Sequence, residues 1–112
     1  MENWFEKVNA NLKAGEQAIP RLLIDLDSLD ANIATFKKQQ PGGMDFRIVV
    51  KSLPSFRLIQ YIMEQADTKK LMVFHQPFLS QLASQLDEQA DILLGKPMPI
   101  KTAHYFYQHL PA

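Results

Sequence analysis

The chain has 112 residues, 46% of them apolar, and its twelve basic side chains balance twelve acidic ones. That length carries one domain with a hydrophobic core, and the lack of cysteine excludes disulfides, thiolate nucleophiles and cysteine-based metal sites. Zero net charge lacks the electrostatic footprint of a nucleic-acid binder, and no apolar run approaches the roughly 20 residues of a membrane span.

The opening "MENWFEKVNANLKAG" has an acid at its second position and no continuous apolar core. A secretory signal is therefore not expected, and the expected location is the cytoplasm. Trp4, Phe5, Val8 and Leu12 share one face of an amphipathic helix that Gly15 would stop. After Pro20 the run "RLLIDLD" is short, apolar and bounded by a turn signal, which predicts a strand. Asp27 or Ser28 then caps a helix with Leu29, Ile33 and Phe36 on one face, ended by the breaker "QQPGG". The unit recurs. Strand "FRIVVK" precedes a helix with Phe56, Ile59, Ile62 or Met63, and Ala66 inward. Strand "KLMVFH" precedes one with Phe78, Leu82 and Leu86, and "DILLG" precedes one with Ala103, Phe106 and Leu110.

Alternation of near-continuous apolar strands with helices predicts an α/β fold, a parallel sheet covered by helices, in a single domain spanning residues 1–112. Two architectures fit. A small open doubly wound sheet would be complete at this length. A (β/α)8 barrel needs roughly 250 residues, so the chain would be about half of one. Half a barrel leaves two sheet edges unpaired, an aggregation hazard unless something covers them.

The run "FRIVVKSLPS" takes an apolar strand straight into a lysine. Burying an unpaired ammonium costs several kcal/mol or strips its proton. Lys51 therefore marks either the point where the strand leaves the core or an amine placed to react. In parallel sheets and barrels, functional groups gather at the carboxyl ends of the strands, where Lys51, His75 and Lys96 all fall. Each is either the first polar residue after a buried strand, with its head group in water, or part of a site. In the second case Lys51 would attack an aldehyde cofactor and His75 would line the pocket.

Elsewhere the signals are weaker. His104 and His109 lack helical ligand spacing and an accompanying carboxylate, so no metal site is expected within the chain. Asp25 and Asp27 would share one face of a strand, as a phosphoacceptor or metal pocket requires, or else one caps the helix and the other is solvated. Gly42 and Gly43 precede a strand rather than join a strand to a helix, so they are not a phosphate loop.

"AIPRLLIDLDSLDANIATF", followed some twenty residues later by "FRIVVKSLPS", resembles the start of the fold-type III pyridoxal-phosphate enzymes. These include alanine racemase and, more closely, the D-threonine aldolase and D-serine dehydratase group. "ADILLGKPMPIKTAHYF" resembles a later segment of the aldolase group, so the similarity spans about residues 18 to 107. The resemblance implies that Lys51 is the Schiff-base lysine for pyridoxal 5'-phosphate. It implies a parent lyase acting on a D-amino acid through a carbanion at the substrate's α-carbon, with the freed lysine as general acid or base. Racemisation passes through the same carbanion and is the enzymatic alternative. A non-catalytic cofactor carrier of the same barrel family and a small α/β binding domain are the others. A receiver-like domain would place an aspartate where His75 stands.

Lys51 is followed by "SLP", where the aldolase and dehydratase group carries a threonine-histidine-lysine turn. The resemblance also implies that phosphate-binding residues lie in later strands, and that a divalent metal, where used, is bound by a C-terminal β-domain. Neither is within the 112 residues, so an inactive N-terminal portion of the barrel is expected, with a homodimeric parent. In such relatives the first strand often joins the C-terminal domain, which leaves three barrel strands here.

Overall fold

Three short apolar runs become strands because each can be laid beside the next by a helical crossover. A computed structural model describes residues 3–15, 19–52 and 55–110. Within them β1 (Ile48–Val49), β2 (Lys70–Val73) and β3 (Asp91–Leu94) form one parallel sheet in the order β1-β2-β3. The register pairs Ile48 with Leu71 and Leu71 with Ile92, then Val49 with Met72 and Met72 with Leu93. Parallel neighbours cannot be joined by a tight hairpin. The crossovers are α3 (Phe56–Ala66) and α4 (Gln76–Gln85), and α5 (Ile100–Gln108) follows β3. Two further helices, α1 (Trp4–Ala14) and α2 (Leu26–Gln39), precede β1.

Strand alternation assigns each side chain to one face of the sheet. Val50, Leu71 and Val73 point to the helices, where they join Ile59 of α3 and Phe78, Leu79 and Leu82 of α4 in one buried cluster. Ile48, Ile92, Leu94 and Phe106 of α5 pack against it. Helices α3, α4 and α5 therefore cover the same face. Among the described residues no helix covers the opposite face, whose central row of Val49, Met72 and Leu93 leaves Val49 57% and Leu93 48% exposed. Consecutive strand order with all crossovers on one side lacks the order reversal of a doubly wound sheet.

The predicted strand over "RLLIDLD" does not form. Residues 19–25 run without regular structure, and Leu22 and Leu23 are 72% and 51% exposed. A strand exists by pairing, and among the described residues this segment has no partner strand. The helix after it starts earlier than expected. Asp25, not Asp27 or Ser28, is the N-cap of α2, its carboxylate accepting from the Ser28 backbone N–H at 3.2 Å and the Ser28 hydroxyl at 3.0 Å. Those donors hold the Asp25 carboxyl below its ordinary pKa, the backbone bond acting most strongly. Helix α2 packs on α3, where the Tyr61 hydroxyl donates to Asp30 at 2.7 Å and Phe36 meets Phe46 edge-on at 4.9 Å. That hydrogen bond raises the Tyr61 pKa. The apolar face expected on α1 is real as a pattern but buries no side chain fully: Trp4, Phe5 and Leu12 remain exposed and Val8 is half-buried. In α5, Phe106 packs inward as predicted, whereas Leu110 lies past the helix end and is 41% exposed.

The amino-terminal rim of the sheet is fastened by ion pairs. Arg47 forms a two-pronged bridge to Asp91, at 2.8 and 2.9 Å, and also donates to the Leu71 and Asp91 carbonyls, crossing all three strands. Lys70 pairs with Asp45, and Lys69 with Asp87 at 3.5 Å. The Arg47 fork lowers the Asp91 pKa, and the same bond raises that of Arg47.

Candidate functional site

At the opposite rim each strand ends in a different polar residue. Continuing the register two residues beyond Val49 and Met72 brings Lys51 beside Phe74 and Phe74 beside Gly95, on the bare face. The side chains agree with that placement. Lys51 Nζ lies over the Phe74 ring at 5.5 Å from its centroid, within cation–π reach. A Cβ added to Gly95 would come within 2.8 Å of both Met72 Cε and Phe74 Cε1. Gly95 is thus the gap into which the Phe74 ring fits.

Three layers stack on the bare face from one rim to the other. Arg47, Lys70 and Asp91 form the charged layer, Val49, Met72 and Leu93 the apolar one, and Lys51, Phe74 and Gly95 the one at the carboxyl rim. Lys51 is exposed and makes no hydrogen bond or ion pair among the described residues. The amine is free to meet a ligand. A depression of about 270 Å³ opens beside it, lined by Lys51, Val50, Phe74, His75, Pro77 and Gln81, with Phe78 behind.

His75 is brought to the same depression, though its side chain has a local task. It is the N-cap of α4, with Nδ1 accepting from the Phe78 N–H at 3.3 Å. With Nδ1 accepting that bond, the ring N–H is the one on Nε2. Lys96 follows Gly95 and lines a second depression of about 370 Å³, which shares Phe74, His75 and Pro77 with the first. The three residues expected at one rim therefore follow three adjacent strand ends. The proline turn expected after Lys51 includes residues 53 and 54, which lie outside the described residues.

Phe74 and Gly95 are the site residues that sequence reasoning passes over. "LMVFH" does contain a signal, because Phe74 stands two residues after Met72 and so shares its face. Linking Phe74 to Lys51 and to Gly95 needs the register between strands, which no local pattern carries.

Pyridoxal phosphate needs a reachable amine and a surface for a flat ring. Lys51 supplies the first and Phe74, with the apolar layer beneath it, the second, so these residues fit its attachment. Among the described residues no three His, Cys, Asp or Glu side chains gather as a metal site would require, and no helix is long and apolar enough to cross a membrane. Comparison with protein-family models, curated proteins and solved structures finds no match to this chain.

Proposed function

We propose that the chain contributes the first strands of a pyridoxal-phosphate-binding (β/α)8 barrel and that Lys51 is the residue to which the cofactor attaches. The observation that carries this reading is the placement of Lys51: an unpaired amine at a strand's carboxyl end, over an aromatic ring, on the one sheet face that no helix covers. In a barrel that face is the interior, and catalytic groups stand at its carboxyl-end rim. Further β/α units would continue the sheet from its open edges and close over the Val49, Met72 and Leu93 layer.

When bound, the cofactor supplies an electron sink for charge developing at an amino acid's α-carbon. The residues of this chain do the rest. Lys51 would hold the cofactor, and its Nζ is the group that would take or return a proton at the substrate's α-carbon. Phe74 would offer the cofactor an apolar surface that excludes water, and the missing side chain at Gly95 leaves the Phe74 ring its room. The likeness of the "LLIDLDSLDANI" and "FRIVVK" segments to the D-threonine aldolase and D-serine dehydratase group supports a lyase acting on a D-amino acid.

Turnover by the protein with its barrel complete tests this. Incubated with cofactor and D-threonine or D-serine, it should yield glycine and acetaldehyde, or pyruvate and ammonia, and Lys51→Ala should lower the rate at least about a thousandfold. Formation of the L-enantiomer instead would make it a racemase. Unchanged turnover in the Lys51→Ala protein would remove the lysine from the mechanism.

A further inference from the structure

Exposed apolar surface is concentrated before the sheet begins. Among the described residues, eight of the sixteen large apolar side chains left exposed fall within residues 4–26. The densest run is Leu22, Leu23 and Ile24, at 72%, 51% and 42% exposure, inside a segment whose sequence has the character of a strand. The backbone groups of these three residues make no hydrogen bond among the described residues. An apolar run with open backbone donors and acceptors is a template for pairing with another strand.

The charges around this run are placed symmetrically. Arg21 stands two residues before Leu23 and Asp25 two after it. In a strand these three side chains share one face. Laid antiparallel on a second copy about Leu23, the segment sets Arg21 of each chain opposite Asp25 of the other, Leu22 opposite Ile24, and Leu23 opposite Leu23. A slip of one residue sets Arg21 opposite Leu26 or Ile24 and leaves both charges unmatched. Parallel pairing in register would lay Arg21 beside Arg21. The free edge of β1 offers no such match either, because Arg47 and Lys51 flank it.

The cap at Asp25 is compatible with a partner. Each of its carboxylate oxygens takes one bond from Ser28 and can accept another. Trp4, Val8 and Leu12 of α1 line a depression of about 450 Å³ together with Arg21, Leu23 and Asp25. Two copies joined at Leu23 would bring two such walls together, adding apolar area that a five-residue ribbon lacks.

We propose that residues 21–25 are a self-pairing strand, through which two copies of this chain join as an antiparallel two-fold ribbon held by reciprocal Arg21–Asp25 ion pairs. The contact uses the same surface on both copies, so it closes at the dimer. It goes beyond the cofactor reading and does not rest on it, since nothing at Lys51 takes part.

The chain contains no cysteine, so a single introduced one reports the contact. Leu23→Cys puts the two sulfurs beside the two-fold axis, with Cα atoms about 4.5–5.5 Å apart and within disulfide range. Mild oxidation with copper phenanthroline should convert most of this chain to a covalent dimer, and leave Met44→Cys, also at an exposed position, largely uncrosslinked. Sedimentation equilibrium of the full chain should show a monomer–dimer equilibrium. Leu23→Lys brings like charges face to face and should weaken it at least about tenfold with helical content unchanged. A chain that stays monomeric to near-millimolar concentration, a dimer that survives Leu23→Lys, or crosslinking of Met44→Cys as fast as Leu23→Cys would overturn the proposal.

Discussion

Gly95 shows what a single side chain can decide at the carboxyl rim. A methyl group there would sit 2.8 Å from Met72 Cε and Phe74 Cε1, and 3.0 Å from Phe74 Cδ1. The Met72 methyl can swing away, whereas the ring is anchored by its strand and must tilt or rise toward Lys51. Gly95→Ala should cost about 1–3 kcal/mol in urea denaturation. It should also slow cofactor capture by Lys51 more than it perturbs the far rim, which amide shifts at Arg47 and Asp91 would report. His75 offers a contrasting case. Removing its N-cap acceptor by His75→Ala should destabilise the chain by about 1 kcal/mol, and His75→Asn should restore most of that loss. Lys51 itself was legible in the sequence as a lysine at a strand end. Its aromatic neighbour was not, because Phe74 reaches it only across the sheet.

Among the predicted strands, those with a neighbour to pair with formed, and the one without a neighbour did not. "FRIVVK", "KLMVFH" and "DILLG" each yield a strand because the next unit lies within pairing distance. "RLLIDLD" is also apolar, yet no strand lies beside it among the described residues, so residues 21–25 lack regular structure, Asp25 caps α2 and Leu26 and Asp27 join that helix. Propensity was legible there, and pairing was not. The sheet's acid sensitivity is set at the other rim. Asp91 has its pKa depressed in the folded state by the Arg47 fork. Its contribution is therefore fully present above the unfolded aspartate value, near ~4, and is lost as pH falls through the lower folded value. Denaturation midpoints measured from about pH 6 to pH 3 should fall on the acid side, and Asp91→Asn should flatten that fall while lowering the plateau.

The whole molecule is expanded for its length. Its radius of gyration is 18.0 Å, against about 13 Å for a compact chain of this size; no residue of α1 is buried, and among the described residues no helix covers one sheet face. The buried apolar core therefore lies on the helix-covered face. Leu82 and Leu71 are completely buried there, and replacing either with alanine should cost about 2–5 kcal/mol, enough to unfold a domain with so few buried residues. On the bare face, Leu93→Asp should change the chain's stability by less than about 0.5 kcal/mol, and it should reduce binding of a hydrophobic dye. The α/β class and the parallel order were legible from the repeated strand-helix pattern. The bare face could not be read from sequence, since a strand destined for a barrel interior and one covered by helices on both sides are equally apolar.

That face and its lysine carry the central claim, and reductive trapping tests it most directly. The protein is incubated with pyridoxal phosphate, reduced with borohydride and digested, and the modified peptide is identified by mass. The account predicts a stable adduct on Lys51, formed in preference to Lys96 and absent from Lys51→Ala. An unmodified Lys51, or an adduct spread evenly over the exposed lysines, would make it the polar end of a strand and nothing more.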